Sequence, residues 1–181
     1  MNNNFVIKIV NQQWLDEEYA NLDLCSHGEI HLNVGGQIIT QPGVNEEWGI
    51  SESALALLRT IEKDYVIESD YDEGLIYHGC GCILMLGCPI SIHWNVKHRD
   101  EQVILSDFVK FTTTNPEVGD VRYPGLEVKI SKEEYKRQII SFALEAKKLF
   151  ENSEEKQITD EFDQKIYEDF WEEYNELLTL K

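Results

Sequence analysis

The stretch from Gly74 to Phe111, GLIYHGCGCILMLGCPISIHWNVKHRDEQVILSDFVKF, limits what this chain can fold into more than any other part of it. Ile83-Leu84-Met85-Leu86 is far too short to cross a bilayer, which takes about 20 apolar residues. Bounded by Gly79, Gly81 and Gly87, it reads as a strand buried on both faces. Cys88-Pro89 should end it, because proline has no N–H for a ladder. Beyond the proline the side chains alternate. Ile90, Ile92, Trp94, Val96 and His98 are expected on one face, and Ser91, His93, Asn95 and Lys97 on the other. Arg99-Asp100-Glu101 is a polar turn, and Gln102 to Phe111 returns as the next strand. The whole reads as the central antiparallel meander, 74–111, of an α+β domain.

Around it the chain supplies further strands. Phe5 to Val10 is one. Gly28 to Val34 and Gln37 to Thr40 form a hairpin across Gly35-Gly36, a pair suited to a turn with two positive φ angles. Val66-Ile67 is a short candidate, and Leu126 to Ile130 alternates like an edge strand. Three main helices are predicted, at about 52–64, 132–150 and 163–178. Ser51 is expected to cap the first, with Ile50 stapled onto Leu55. Ser131-Lys132-Glu133-Glu134 is a capping box for the second, with Ile130 and Tyr135 as its staple. The third carries an apolar stripe, Ile166, Phe170, Trp171, Tyr174 and Leu177, opposite a face of Asp and Glu. The expectation is one α+β domain over residues 1–181, with about six mainly antiparallel strands. A polar linker at 151–162 leads to the acidic C-terminal helix.

Charge narrows the partners. The 181 residues hold 34 Asp and Glu against 16 Lys and Arg, a net charge of −18. Such a field repels phosphate backbones and anionic lipid and attracts cations, so neither nucleic acid nor membrane is an expected partner, whereas a basic protein is. Met1-Asn2-Asn3-Asn4 has no basic leader, and Lys8 interrupts the first apolar run. The expected compartment is therefore the cytoplasm, with its four cysteines as thiols.

Several constellations could carry chemistry. His78, Cys80 and Cys82 share strand parity, and Cys88, His93 and His98 follow closely. Thiolates with imidazoles suit zinc, although the Cys-x-Cys spacing is not that of paired zinc knuckles, and buried cysteines also serve as small hydrophobes. His27-x-Glu29-x-His31 would share one strand face, with Cys25 near enough to add a ligand. Two histidines and a carboxylate can hold iron, but neighbouring side chains on one strand diverge. A nucleophilic thiol could pair Cys88 with His93 or Cys82 with His78. Asp70-x-Asp72-x-Gly74 begins like an EF-hand but lacks its later ligands, and the glycines match no phosphate-binding loop. On the last helix, Glu168, Asp169, Glu172, Glu173 and Glu176 offer a landing face for a basic partner.

Asp23-Leu24-Cys25-Ser26-His27-Gly28, Ala54-Leu55-Ala56-Leu57-Leu58-Arg59-Thr60, His78-Gly79-Cys80-Gly81, Gly87-Cys88-Pro89-Ile90 with Trp94 and His98, and Phe170-Trp171-Glu172-Glu173-Tyr174 together resemble a family of small acidic uncharacterised bacterial proteins. That resemblance carries no activity or site residue with it. In size, charge and fold class the chain is also similar to the small acidic immunity proteins that neutralise bacterial toxins. The leading expectation is a non-enzymatic acidic binding module, in its specific form an immunity-type inhibitor of a basic toxin or nuclease. The competing one is a metal- or thiol-dependent enzyme using the Cys/His cluster at 78–98.

Overall fold

The computed structural model describes residues 4–44, 46–68, 74–78, 90–112 and 120–179. Within these the chain is an α+β domain with two sheets and three long helices. A three-stranded antiparallel sheet runs in the order β1 (Phe5–Ile9), β3 (Ile30–Val34), β4 (Gln37–Thr40). A seven-stranded sheet runs β10 (Val128–Ser131), β8 (Gln102–Phe111), β7 (Ser91–Arg99), β6 (Ile76–His78), β5 (Trp48–Gly49), β2 (His27–Gly28), with β9 (Val121–Arg122) paired to β8. Helix α1 spans Ile50–Arg59, α2 Lys132–Glu151 and α3 Glu161–Thr179. None of the described helices is long and apolar enough to cross a membrane.

The central hairpin forms as its pattern requires. β7 and β8 pair from Arg99↔Gln102 outward, across a turn in which Asp100 takes φ 49°. Ile92, Trp94 and Val96 are fully buried. The pairing slips by one residue between His93 and Asn95, so that Trp94 faces both Asp107 and Phe108. Asp107, with φ 57°, is the extra residue, and aspartate tolerates this conformation better than most. Its Oδ2 accepts from Asn95 Nδ2 (2.6 Å) and from Ser106 Oγ (2.8 Å). The bulge turns Phe108 inward, where its ring stacks on Trp94 (centroids 5.6 Å, 18° between planes). Phe5 from the other sheet lies 6.3 Å from Trp94 and 5.9 Å from Tyr135 of α2, so the core sits where the two sheets meet α2.

The Gly35-Gly36 turn has both φ angles positive, 59° and 88°, as expected. Ser131 caps α2, accepting from Glu134 N–H at 3.2 Å, and Ile130 and Tyr135 are both buried behind it. The other half of the capping box is not made, since the Glu134 carboxylate takes Arg137 and Gln138 instead.

Four expectations need correction. The other face of β7 is not solvated at Ser91, His93 and Asn95. All three are buried in a polar layer, in which Ser91 Oγ and His93 Nε2 are 2.6 Å apart and Asn95 Oδ1 accepts from Ile67 N–H. Val66-Ile67 is consequently not a strand; only Tyr65 makes a bridge, to Val96. Helix α1 begins at Ile50, not after a Ser51 cap, because β5 pairing delivers an extended Gly49 directly to the N-cap position. It ends at Thr60, whose N–H and hydroxyl both reach Leu57 O. Finally, His27, Glu29 and His31 do not share a strand: β2 belongs to the large sheet and β3 to the small one, and the chain changes sheets at Glu29. The buried strand expected at 83–86 lies outside the described residues, as do Cys80, Cys82 and Cys88.

Candidate functional site

Two regions draw functional side chains together: the outer face of α3, and a buried polar cluster where the segment 11–28 meets the start of α1.

Asp160 precedes helix α3 and its carboxylate accepts from Phe162 and Asp163 N–H, so the helix starts at Glu161, two residues before the start the stripe implied. It docks through Phe170 and Tyr174, which are buried, and through Trp171, which sits edge-on to Phe150 of α2 at 4.6 Å. The Tyr174 hydroxyl donates to Ala143 O (2.8 Å). Burial pushes that phenol far above its ordinary pKa, so it is neutral at any working pH.

The five acids proposed as a landing face do not behave alike. Glu173 is held by Arg59 of α1 in a two-pronged pair (2.6 and 2.7 Å), which draws its carboxyl below the usual range. It pins α3 to α1, and both side chains are open to water, so the pair is worth at most about 1 kcal/mol. Asp169 is taken by Lys165 one turn earlier (2.7 Å). Glu168, Glu172 and Glu176 are exposed and make no ion pair among the described residues; Glu168 accepts only an amide, from Gln164. They stand at i, i+4 and i+8, a row with a spacing of about 6 Å along the axis. No basic residue lies in the last turn.

The second region was only half legible. Asp23 bends the chain by accepting from Cys25 N–H (3.1 Å) and Leu15 N–H (2.9 Å). Gly28 then lets the segment return against residues 10–13. A Cβ there would stand 2.1 Å from Asn11 O, so only glycine fits. Gln13 and His27 exchange both backbone hydrogen bonds, and Ile50 N–H reaches Ser26 O. These contacts bring Cys25, Ser26 and His27 onto the first turn of α1, where Ser51 and Glu52 point inward. All five side chains are buried, Glu52 to 6 % exposure and His27 to 1 %.

Within the cluster, Ser51 Oγ accepts from Ser26 N–H (3.0 Å) and donates to Glu52 Oε2 (2.8 Å). Cys25 lies near enough to the Glu52 carboxyl to draw its pKa downward. His27 Nε2 stands 3.4 Å from Asp23 Oδ2, a charge contact without hydrogen-bond geometry. Among the described residues, Glu52 Oε1 and both ring nitrogens of His27 find no hydrogen-bond partner. Burial raises the Glu52 pKa, and this outweighs the opposing pull of Cys25, Ser51 and His27. For Asp23 burial also acts upward, but the His27 ring and the two backbone donors prevail and its carboxyl is held below the usual range.

Lys156, from the connector between α2 and α3, closes the region. Its Nζ lies 3.2 Å from the centroid of the Trp14 ring and donates to Ala20 O (2.7 Å). Burial lowers its pKa to about 8, against the charges of Asp23 and Cys25.

Glu52 carries a testable pH signature. With a folded pKa above the unfolded value of 4.5, the native state holds a proton that the unfolded chain has released. Stability contributed through Glu52 should therefore fall as pH rises from 4.5 toward the folded pKa, and stay reduced above it. Glu52→Gln, neutral throughout with Asp23, Cys25 and His27 still beside it, should flatten that descending limb in urea titrations run at a series of pH values. An unchanged slope would mean that Glu52 is not buried as described.

The remaining sequence candidates are dispersed. His78 lies on β6 opposite Trp48, and His31 on β3 opposite Lys8. His93 is buried edge-on against Phe111. His98 Nε2 must carry its proton, since its partner at 3.0 Å is the carbonyl of Thr60. Among the described residues no group of three or more His, Cys, Asp or Glu side chains is disposed to hold a metal ion. Sequence reasoning named Cys25 and His27 as ligands but missed Asp23, Glu52 and Lys156. The available signal was an acid within an otherwise buried first turn, Ile50-Ser51-Glu52-Ser53-Ala54.

No protein-family model, curated protein or solved structure matches the chain.

Proposed function

We propose that this protein is an acidic binding module that takes a basic protein on the outer ridge of α3, with Glu168, Glu172 and Glu176 as the contact row. The observation that carries the reading is that row: three exposed carboxylates one turn apart with no ion pair among the described residues. Like charges at i, i+4 cost a helix about 0.2–0.5 kcal/mol per pair. A cationic partner would turn that repulsion into attraction and would be steered to the ridge by the net charge of −18. In the specific form of this reading the partner is a basic toxin or nuclease, inhibited because the ridge covers the cationic surface it uses for its own substrate.

The test replaces the row. Glu168→Gln, Glu172→Gln and Glu176→Gln combined should weaken capture of a basic protein from a lysate of the producing cells by about tenfold or more. The same number of charges removed elsewhere, at Glu17, Glu101 and Glu133, should leave capture nearly intact. Wild-type affinity should fall steeply with added salt, because exposed charges are screened over about 10 Å at 0.1 M. Equal losses from both triple variants would point to bulk charge rather than a ridge.

A further inference from the structure

The loop between Trp14 and Cys25 leaves three large apolar side chains in water. Leu15 is 55 % exposed, Tyr19 54 % and Leu22 53 %. Single exposed hydrophobics are ordinary on a protein surface, whereas several gathered on one fixed loop mark an interaction site. The backbone gathers these three. Leu15 N–H and Cys25 N–H both donate to the Asp23 carboxylate (2.9 and 3.1 Å), which closes the base of the loop. With the bond lengths in between, that holds the Cα atoms of Leu15 and Leu22 within about 12 Å of each other. Leu22 N–H donates to Tyr19 O (2.9 Å), a turn that keeps Tyr19 within about 7 Å of Leu22.

The loop is also held from outside itself. Trp14 and Cys25, at its two ends, are buried. The Trp14 ring stands edge-on to Phe150 of α2 (4.8 Å) and lies under Lys156 Nζ. Asp16 caps the single 3-10 turn Glu17–Tyr19 by accepting from Glu18 N–H (2.9 Å). The connector between α2 and α3 ties down the far side, through Gln157 N–H to Asn21 O (2.9 Å) and Lys156 Nζ to Ala20 O (2.7 Å). The three apolar side chains are therefore presented on a fixed frame, at no further cost in loop ordering when a partner arrives.

Charge selects the occupant. Asp16, Glu17 and Glu18 border the apolar residues and are exposed, and no lysine or arginine occurs between Lys8 and Arg59. Lys156 reaches the loop, but its ammonium is turned onto Trp14 and Ala20 O. A second copy in a two-fold contact would set the same acids against each other. Anionic lipid is repelled by the net charge of −18. We propose that the loop 15–22 is a docking surface for a basic amphipathic helix of another protein, its apolar side chains seated on Leu15, Tyr19 and Leu22 and its flanking lysines or arginines facing Asp16, Glu17 and Glu18. Anchors at i, i+4 and i+7 of a helix span about 10 Å, which suits the separation of the loop residues. The apolar contact supplies the affinity, and the acids select the sign and orientation of the helix. The loop and the glutamate row of α3 share no residue, so either can fail alone.

The probes are two synthetic helical peptides of equal positive charge, one of leucine and lysine in amphipathic order, the other with every leucine replaced by glutamine. Fluorescence anisotropy of labelled peptide with the full chain reads the affinities. Wild type should bind the leucine peptide at least about tenfold more tightly than the glutamine peptide, a preference that charge alone does not produce. Leu15→Ser, Tyr19→Ser and Leu22→Ser combined should erase the preference, whereas Glu168→Gln, Glu172→Gln and Glu176→Gln combined should preserve it, however much both peptides weaken. In wild type, amide chemical shifts on adding the leucine peptide should change most at residues 15–23, a reading that needs no variant. Equal affinity for the two peptides overturns the proposal, as do a preference that survives in the serine variant and shift changes concentrated elsewhere. Concentration-dependent self-association of wild type that disappears in the serine variant would show that a second copy covers the loop, and would overturn the basic helix as its occupant.

Discussion

Trp94→Ala should lower the unfolding free energy by about 3–5 kcal/mol, the range for removing a large buried aromatic. Trp94 is fully buried, stacks on Phe108 and meets Phe5 from the other sheet. Its loss opens a cavity at the one place where both sheets and α2 converge, and neighbouring β-strands cannot collapse into it without giving up their ladder. A domain of this size has only about 5–15 kcal/mol in total. Urea unfolding followed by circular dichroism reads the change as a shift of midpoint. Trp94→Phe separates packing from hydrogen bonding. It keeps most of the stack and removes an indole N–H that has no partner among the described residues, so it should cost far less than the alanine variant. Similar losses in the two would mean that the stack is not the main contributor.

Tyr174→Ala is expected to have a comparable effect on stability, about 3–5 kcal/mol, but its character should differ. Tyr174 is the fully buried anchor of α3, packed on Phe170 and Trp171 and bonded to Ala143 O. Its removal leaves α3 held chiefly by Phe170, Trp171 and the exposed Arg59–Glu173 pair. Hydrogen exchange should therefore accelerate across 161–179 before it does so in β7 and β8. Tyr174→Phe keeps the ring and loses one buried hydrogen bond, so it should cost only about 1 kcal/mol with α3 still protected. The pair of variants bears on function, because the glutamate row can be presented only while α3 is docked. Uniform exchange throughout the chain in Tyr174→Ala would show instead that α3 and the sheet unfold as one unit.

What the sequence made legible was set by local rules. Gly35-Gly36 fixed a turn, Ser131 with Glu134 N–H fixed the start of α2, and the alternation of Ile92, Trp94 and Val96 fixed a buried strand face. The bulge at Asp107 also left a trace, since the buried residues change parity between Leu105 and Phe108; reading Gln102 to Phe111 as one regular strand passed over it. Other features were set by distant partners. Ser51 looks like a cap, but the pairing of β5 with β2 determined where α1 begins and turned that hydroxyl toward Ser26 and Glu52. His27 and His31 look like neighbours on one strand, yet the close approach of Asn11 at Gly28 sends the chain from one sheet to the other between them. Cys25 and Glu52 are separated by a hairpin and a loop, and periodicity carries no information about such a pair. On α3, spacing gave the acidic face correctly but could not foresee that Arg59 would claim Glu173.

The ridge on α3 is best examined by measuring capture of a basic protein at several salt concentrations with three proteins side by side: wild type, the Glu168/Glu172/Glu176→Gln triple variant, and the charge-matched Glu17/Glu101/Glu133→Gln control. Capture that weakens with salt, collapses in the first variant and persists in the second is the expected result. Capture that ignores salt, or that survives loss of the three helix carboxylates, would contradict an acidic docking helix.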